Sequence, residues 1–398
     1  MSSHGRDAAE VADLGLLSPV SAGTAGEALT GDKAIVDAMV RAEAALLRAL
    51  VAVGLAPDSA LATADVLAAT DVDVRRLAVD AVEAGNPVVP LAKLLREAVD
   101  PEHAQWVHFG TTSQDILDTA LMLAASDVAR RIEADLTRLA STLAALADEN
   151  RSVPMVARTL TQQAMPTTLG MRASGWLAGV HDAVRMIRTC TSLPISLGGP
   201  VGTTARYGAD GPAVVEAFAA ELGQRAAVSS WHTRRTPLVG LATALTIGGE
   251  TCGKIAADLL VMSQSEVGEA REAAGGSSSA MAHKSNPAQS VLVASAARQL
   301  PALGSIIASS CAAEQERPAG AWQAEWQPLR EMLRLSAGAV ERTVGVMAGV
   351  RFDHAAMRRN LEQLVAIIGE EESWVTSQTR HVGVWADRVL AQHKEVFA

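Results

Sequence analysis

Cysteines, aromatic residues and long apolar runs are all scarce in this 398-residue chain. The three cysteines, Cys190, Cys252 and Cys311, are odd in number and far apart, so they predict neither a disulfide framework nor a metal cluster. Free thiols suit a reducing compartment. No run of about 20 uninterrupted apolar residues is present, and we expect no membrane span. No signal peptide is evident, which makes a cytoplasmic location our expectation.

The composition also restricts the fold class and the partners. Phe, Tyr and Trp make up 3% of the chain, whereas 49% of its residues are hydrophobic and Ala, Leu and Val predominate. This balance favours packed helices over sheet. The net charge is −10 with acidic and basic residues interspersed, so no basic face indicates a nucleic-acid partner. The histidines lack metal-ligand spacing, and we expect no metal.

Apolar periodicity predicts an all-α protein. The first clear helix follows Asp32, and Gly54 is placed to end it. Its apolar face consists of Ile35, Met39, Leu46, Leu50 and Val53. Further helices are predicted over 113–150, 166–192, 211–223, 237–272, 287–315 and 327–349. No alternating strand pattern is found, and the Gly-rich segment 198–208 is interpreted as a loop between helices.

The same pattern divides the chain into three regions. We predict an N-terminal helical domain at 1–112, a central long-helix bundle at 113–350 and a short helical tail at 351–398. Several of the central helices exceed the usual length of about 11 or 12 residues. Such lengths indicate an elongated bundle whose faces are also covered by other subunits.

The most informative segment is the loop at 275–287, which reads Gly-Gly-Ser-Ser-Ser-Ala-Met-Ala-His-Lys-Ser-Asn-Pro. Asn286 is a good N-cap and Pro287 a good first residue for the helix that follows. Ser278 and Lys284 then lie near a helix N-terminus, where N–H groups and the helix dipole favour anions. A hydroxyl in that field is a candidate base or nucleophile. A Gly/Ser run alone is also typical of a flexible linker.

Two earlier segments carry the same kinds of polar group. Residues 108–115 read His-Phe-Gly-Thr-Thr-Ser-Gln-Asp, and residues 158–168 read Arg-Thr-Leu-Thr-Gln-Gln-Ala-Met-Pro-Thr-Thr. Each alone fits a helix cap or a turn, because Ser, Thr and Asp favour such positions. The occurrence of three segments of this kind in one chain favours carboxylate binding.

Taken in order, the three segments resemble the signature regions of the fumarase/aspartase superfamily. The 275–287 loop is similar to its Gly-Ser-Ser-x-Met-Pro-x-Lys-x-Asn-Pro motif, and the resemblance covers roughly residues 30–350. The chain particularly resembles the bacterial 3-carboxy-cis,cis-muconate cycloisomerases. The residues that carry this second likeness are 107–110, 112–115, 157–159, 197–199 and 314–326.

The resemblance implies a function and an assembly. It implies a cofactor-free cycloisomerase that acts on a small di- or tricarboxylate through an aci-carboxylate carbanion. The active sites would be shared by three subunits of a homotetramer. The family's catalytic serine corresponds to Ser278, which would act as the base, with His108 and His283 as candidates for the acid. A structural role at a helix start is the alternative for His108. The implied substrate-binding residues are Thr112, Ser113, Arg158, Thr159, Gln162, His283, Lys284, Asn286 and Arg317.

Departures from the family pattern keep other activities open. Leu160 stands where many relatives carry a His, which argues against adenylosuccinate, argininosuccinate or fumarate chemistry. Ser285 replaces the usual Arg and Gln323 the expected His, so positive charge that a tricarboxylate would attract is lost. One alternative is a C–N lyase that eliminates ammonia, nitrite or an amine from a substituted succinate to give fumarate. The other is a non-catalytic structural protein on the same scaffold.

Overall fold

The computed structural model describes residues 15–273, 276–277 and 285–397. Its N-terminal part contains α1 (Ala25–Leu29), α2 (Asp32–Ala52), α3 (Leu61–Ala68), α4 (Val74–Ala84) and α5 (Val88–Ala98). The helix predicted after Asp32 is confirmed as α2. Gly54, with φ of 82°, follows its end in the left-handed conformation that glycine tolerates.

The central part is built from long helices. In chain order these elements are α6 (Ser113–Glu149), α7 (Leu169–Arg188), α8 (Gly211–Leu222), α9 (Thr236–Met262), α10 (Ala288–Ser309) and α11 (Ala321–Gly349). α6 packs against α7 and α11, while α9 packs against α7, α10 and α11. The tail consists of α12 (His354–Ile368), α13 (Glu372–Thr379) and α14 (Gly383–Val396), and α14 packs on α7.

The long helices run alternately up and down. α6 and α9 both begin near Asp115, because His232, just ahead of α9, contacts the Asp115 carboxylate. Both end near Glu269, because Arg158, soon after α6, pairs with Glu269, soon after α9. α11 runs in the same direction, and α7 and α10 return. We refer below to the Asp115 end and the Glu269 end of the bundle.

A buried ion cluster joins α6, α9 and α11 at the Asp115 end. The Arg235 guanidinium lies 2.7 Å from Asp118 Oδ2 and 2.6 Å from Glu325 Oε2. Trp322 Nε1 donates to Asp118 Oδ1 at 2.9 Å. All three charged side chains are at most 2% exposed. Because the single guanidinium faces both carboxylates inside the core, the cluster ties the starts of three long helices together.

Two strands correct the expectation that the chain lacks strand structure. β1 (Pro154–Thr159) and β2 (Gln162–Thr168) form an antiparallel hairpin with an irregular register between Ala157 and Arg158. Val156 of β1 packs with residues of α12 and α13, so tertiary contacts stabilise a strand that local periodicity does not reveal. α7 consequently begins at Leu169, three residues later than predicted, where the Thr168 side chain accepts from Met171 N–H at 3.1 Å.

Short strand pairs also form around the third signature segment. β3 (Ala270–Arg271) pairs with β6 (Arg351–Phe352), and β4 (Gly276–Ser277) pairs with β5 (Ser285–Asn286). α9 therefore ends at Met262, ten residues before its predicted end, because the chain turns back into these pairs.

Within the described residues, one helix, α10, is long and apolar enough to cross a membrane by length and composition alone. It lies against α9 and α11 in the bundle. Its other face leaves Val291 and Ile306 exposed on the single chain.

Candidate active site

The first signature segment is organised by the carboxylate of Asp115, which is fully buried. Its Oδ2 accepts from Thr112 N–H at 3.0 Å and Gly199 N–H at 2.8 Å. Its Oδ1 accepts from Gly198 N–H at 2.8 Å and lies 2.6 Å from His232 Nε2. The carboxylate thus joins the start of α6 to the glycine turn at 198–199 and to the loop before α9.

The electrostatic balance keeps Asp115 ionised. Burial by itself would raise the pKa of this carboxyl group, but the hydrogen bond and charge of His232 and the two glycine N–H groups outweigh it, so the pKa lies below its ordinary value. Gly199 has a φ of 72°, and a Cβ there would lie 2.8 Å from the Gly110 carbonyl oxygen. Two loops can therefore approach each other above the Asp115 carboxylate only because that position is glycine.

His232 was not predicted as a site residue. Because the Asp115 carboxylate can only accept, His232 Nε2 carries the proton of their hydrogen bond. His232 Nδ1 and Gln114 Oε1 are buried and have no hydrogen-bond partner among the described residues. The sequence places 116 residues between His232 and Asp115, and no spacing rule connects them. A histidine in the polar loop before a long helix was the only available signal.

The structure brings two predicted substrate-binding residues together at this end. Arg317 Nη2 donates to Thr112 Oγ1 at 2.9 Å and to the Pro200 carbonyl oxygen at 3.1 Å. Arg317 is exposed and forms no ion pair within the part of the chain that the structure describes. Ser113, half-buried, is the first residue of α6 beside this pair. The arrangement presents a guanidinium and hydroxyl groups that could bind a carboxylate.

His108 is directed toward the N-terminal helices. Its Nδ1 lies 2.6 Å from Glu43 Oε1, and its backbone N–H donates to Glu43 Oε2 at 3.1 Å. Its backbone has a φ of 60°. These contacts agree with the structural alternative for His108, since the two bonds to Glu43 hold the left-handed turn ahead of α6.

At the Glu269 end, Arg158 is already neutralised. Its guanidinium forms two hydrogen bonds with the Glu269 carboxylate at 2.9 and 3.0 Å, and Asn360 Nδ2 donates to the same carboxylate at 2.8 Å. Thr159 and Gln162 lie at the exposed tip of the β1–β2 hairpin. Leu160 between them is 95% exposed. The tip, rather than Arg158, is therefore free to meet a ligand or another chain.

The third signature segment lies partly outside the described residues, and Ser278, His283 and Lys284 are among those not described. Asn286 was predicted to cap the following helix, and this prediction is wrong. Asn286 belongs to β5 and pairs with Gly276, while Pro287 occupies the N-cap position and α10 begins at Ala288. The pairing with β4 holds Asn286 in an extended conformation, which removes it from the cap.

The three segments do not meet within one chain. Segment 108–115 lies at the start of α6 and the hairpin follows the end of that helix, and a 37-residue helix spans about 55 Å at 1.5 Å per residue. The described parts of the second and third segments lie together at the Glu269 end. A site that uses all three segments therefore requires a second chain. Within the described residues, no group of three His, Cys, Asp or Glu side chains could hold a metal ion.

Comparison with known proteins decides the family. A sequence model of the family described as "Lyase" matches residues 19–301. The chain is 44% identical over 370 residues to nitrosuccinate lyase of Streptomyces davaonensis, covering 89% of this chain and 78% of that protein. The chain belongs to the fumarase/aspartase superfamily. The resemblance seen in the three segments is confirmed, and so is the prediction of an enzyme.

Other superfamily members extend the comparison. The chain is 37% identical over 365 residues to a 3-carboxy-cis,cis-muconate cycloisomerase of Bradyrhizobium diazoefficiens, covering 89% of this chain and 81% of that protein. The crystal structure of 3-carboxy-cis,cis-muconate lactonizing enzyme from Pseudomonas putida matches with a TM-score of 0.87 and 29% identity, covering 96% of this chain and 100% of that one. The predicted all-α class with a long-helix bundle is confirmed, apart from the short strands.

Proposed function

We propose that this superfamily enzyme is a C–N lyase that eliminates nitrite from nitrosuccinate, a substituted succinate, to give fumarate. The observation that carries the proposal is the 44% identity over 370 residues to the nitrosuccinate lyase of Streptomyces davaonensis. This identity favours an activity that we gave, from the sequence alone, as the alternative to muconate cycloisomerisation.

The proposed reaction begins with proton removal from the carbon next to one carboxylate. Ser278 would take that proton, and the electron pair would move into the carboxylate to give the aci-carboxylate dianion. The carbon–nitrogen bond then breaks, its electron pair leaves with nitrite, and the carbon–carbon double bond of fumarate forms. Lys284 and Asn286 would stabilise the developing negative charge. Thr112, Ser113, Thr159, Gln162 and Arg317 would hold the carboxylates.

The residue at position 160 supports nitrite as the leaving group. An amine nitrogen that is not already protonated in the substrate leaves readily only when a general acid protonates it, whereas nitrite leaves as a stable anion. Leu160 lies at the exposed hairpin tip, where many relatives carry a His, and it has no proton to donate. Elimination of an amine that is not protonated in the substrate is therefore less well served by this hairpin than elimination of nitrite.

The charge of the site supports a dicarboxylate substrate. The Glu269 carboxylate neutralises the positive charge of Arg158. Ser285 and Gln323, both exposed, add no charge at two positions where the family pattern has Arg and His. Binding a third carboxylate would require compensating cations that these positions do not supply.

A second candidate is cycloisomerisation of 3-carboxy-cis,cis-muconate. It is supported by the 37% identity to the Bradyrhizobium enzyme and by the TM-score of 0.87 to the Pseudomonas putida structure. The leaving group in the reverse of that reaction is a carboxylate, which also needs no acid at position 160. The third possibility that the sequence left open, a non-catalytic protein on the same scaffold, is not supported by the enzymes to which the chain is similar.

We further propose a homotetramer in which three chains contribute to each active site. The 37-residue length of α6 separates the first signature segment from the second, and α10 leaves Val291 and Ile306 exposed on the single chain. Association of four 41.4 kDa chains would unite the segments and cover this face. Light scattering tests the assembly, and an active protein with the mass of one chain would contradict it.

The function is tested by assaying the purified protein with nitrosuccinate, 3-carboxy-cis,cis-muconate and aspartate. We expect fumarate and nitrite to appear in equal amounts from nitrosuccinate, with little consumption of the other two. Preferential consumption of the muconate would select the second candidate. Ser278→Ala should abolish turnover while the tetramer persists, and a fully active Ser278→Ala enzyme would exclude Ser278 as the base.

A further inference from the structure

The first turn of α10 is capped by a residue from the other side of the signature loop. The Glu272 carboxylate accepts from Gln289 N–H at 3.2 Å, from Ser290 N–H at 2.8 Å and from Ser290 Oγ at 2.6 Å. Glu272 is 8% exposed and Ser290 is 1% exposed. Glu272 thus supplies the capping interaction that was predicted for Asn286.

Among the residues that the structure describes, no anion other than Glu272 caps the start of α10. Pro287 in the N-cap position makes no side-chain capping bond, and the first turn of α10 contains no acidic residue. The N–H groups at the start of a helix carry its positive partial charge and need acceptors. Because Glu272 satisfies two of them and its charge offsets the dipole, the start of α10 is not a free anion-binding site.

The same contact braces the base of the loop. Glu272 directly follows β3, and the β4–β5 pair joins Gly276 to Asn286 between Glu272 and α10. A Cβ at Gly276 would lie 2.8 Å from the Ala288 side chain, so the two arms of the loop approach as closely as the backbone allows. Residues 278–284, which include Ser278, are joined covalently to these two arms.

We propose that Glu272 is a positioning residue for the proposed elimination: it fixes the start of α10 and occupies the anion-binding end of that helix. The positive end of the α10 dipole is therefore already engaged by Glu272 and is not available to another anion. This inference rests on the proposed function, and it replaces the expectation that the helix start stabilises the serine alkoxide.

Three variants separate positioning from charge. Glu272→Ala removes the brace, and we expect kcat to fall about 100-fold, the effect of a misplaced reacting group. Glu272→Gln keeps an acceptor oxygen but removes the charge. We expect it to recover most of that kcat and to move the acidic limb of the pH–kcat profile to lower pH, because a nearby negative charge makes a base harder to deprotonate. Ser290→Ala keeps the charge and should leave the position of that limb unchanged.

The other charged groups around Glu272 are the same in all three variants. Within the part of the chain that the structure describes, they are Arg271, its neighbour in the chain, Glu341 and Arg342 on α11, which line the same cavity of about 310 Å³, and Arg351 on β6, which pairs with Arg271. Arg342 also donates to Gln289 Oε1 at 3.2 Å. A shift of the limb in Glu272→Gln but not in Ser290→Ala therefore reports the charge of Glu272.

Hydrogen exchange provides a test that does not depend on turnover. In Glu272→Ala the amides of Gln289 and Ser290 should exchange faster than in wild type, as measured by mass spectrometry of the peptide that contains them. Unchanged exchange, or wild-type kcat in Glu272→Ala, would overturn the proposal. If the acidic limb of the pH–kcat profile keeps its position in Glu272→Gln, the charge of Glu272 has no effect on the base and Glu272 is only a structural cap. If wild type turns over neither nitrosuccinate nor the muconate, the proposed function fails, while the exchange result still decides whether Glu272 braces the loop.

Discussion

The two ends of the bundle handle charge in different ways. At the Asp115 end, a buried carboxylate is satisfied mainly by backbone N–H groups and by His232, and the exposed Arg317 keeps its charge for a ligand. At the Glu269 end, the buried carboxylate neutralises Arg158, and Glu272 covers the start of α10. The first end leaves the Arg317 guanidinium without an ion pair among the described residues, whereas the second pairs Arg158 with Glu269 and presents a hairpin tip to the outside.

The substitution with the largest expected effect removes the buried counter-charge at the Asp115 end. Arg235→Leu leaves Asp118 and Glu325 buried without a counter-charge, and we expect a loss of about 3–5 kcal/mol in the free energy of unfolding. Urea denaturation measures this loss. Arg76→Leu removes an arginine from an exposed pair with Asp80 and should leave the urea midpoint unchanged. Equal midpoints for the two variants would contradict the structural role of the cluster.

A smaller effect concerns the turn held by Asp115. In Asp115→Asn one oxygen is replaced by an NH₂ group that faces backbone donors, so the glycine turn should shift and kcat/KM for nitrosuccinate should fall about 100-fold. Glu269→Gln is the matched change at the other end. It leaves the charge of Arg158 without its carboxylate partner, and we expect a change mainly in substrate preference, toward more highly charged carboxylates. A larger loss of activity in Glu269→Gln than in Asp115→Asn would contradict the expectation that the carboxylate at the Asp115 end contributes more to turnover.

Arg317 distinguishes substrate binding from structural support. In Arg317→Gln the hydrogen bond to Thr112 can persist while the charge is lost, so KM should rise about tenfold with kcat nearly constant, as for an interaction made equally in ground and transition states. The melting temperature should not change, because the side chain is exposed. A fall in kcat at constant KM would instead place Arg317 in the chemical step.

The smallest expected effect is on the pH dependence of stability, and it concerns the contact of α14 with α7, away from both ends of the bundle. His181 Nε2 lies 3.2 Å from His393 Nδ1, and burial lowers the pKa of both imidazoles below the ordinary value of 6.5. Protonation then favours the unfolded state. The stabilisation that the two neutral imidazoles provide is therefore complete above about pH 7, and it is lost as the pH falls from 6.5 through the lower pKa of the folded state. The melting temperature should decrease more steeply over this interval in wild type than in His393→Phe. Parallel curves would exclude the pair as the titrating group.

The local pattern of apolar residues predicted much of the fold. The apolar spacing of α2 and of the long helices predicted their existence, and α6 was placed within a residue of its observed bounds. Their ends were less predictable where the chain enters strand pairs, as after Met262 and before Leu169. The hairpin was not predicted, because it is stabilised by its strand pairing and by its contacts with α12 and α13. Neither of these leaves a periodic signal in a short segment.

The polar motifs and the helical periods were properties of the sequence alone, because residue type and spacing determine which groups a segment can offer. They were enough to indicate the superfamily and to predict Thr112 and Arg317 as members of one site. Only the tertiary structure decided which charges remain available: it pairs Arg158 with Glu269, gives the cap of α10 to Glu272 and joins His232 to Asp115. Such pairings depend on distances between residues far apart in the chain, and packing of the whole bundle determines those distances.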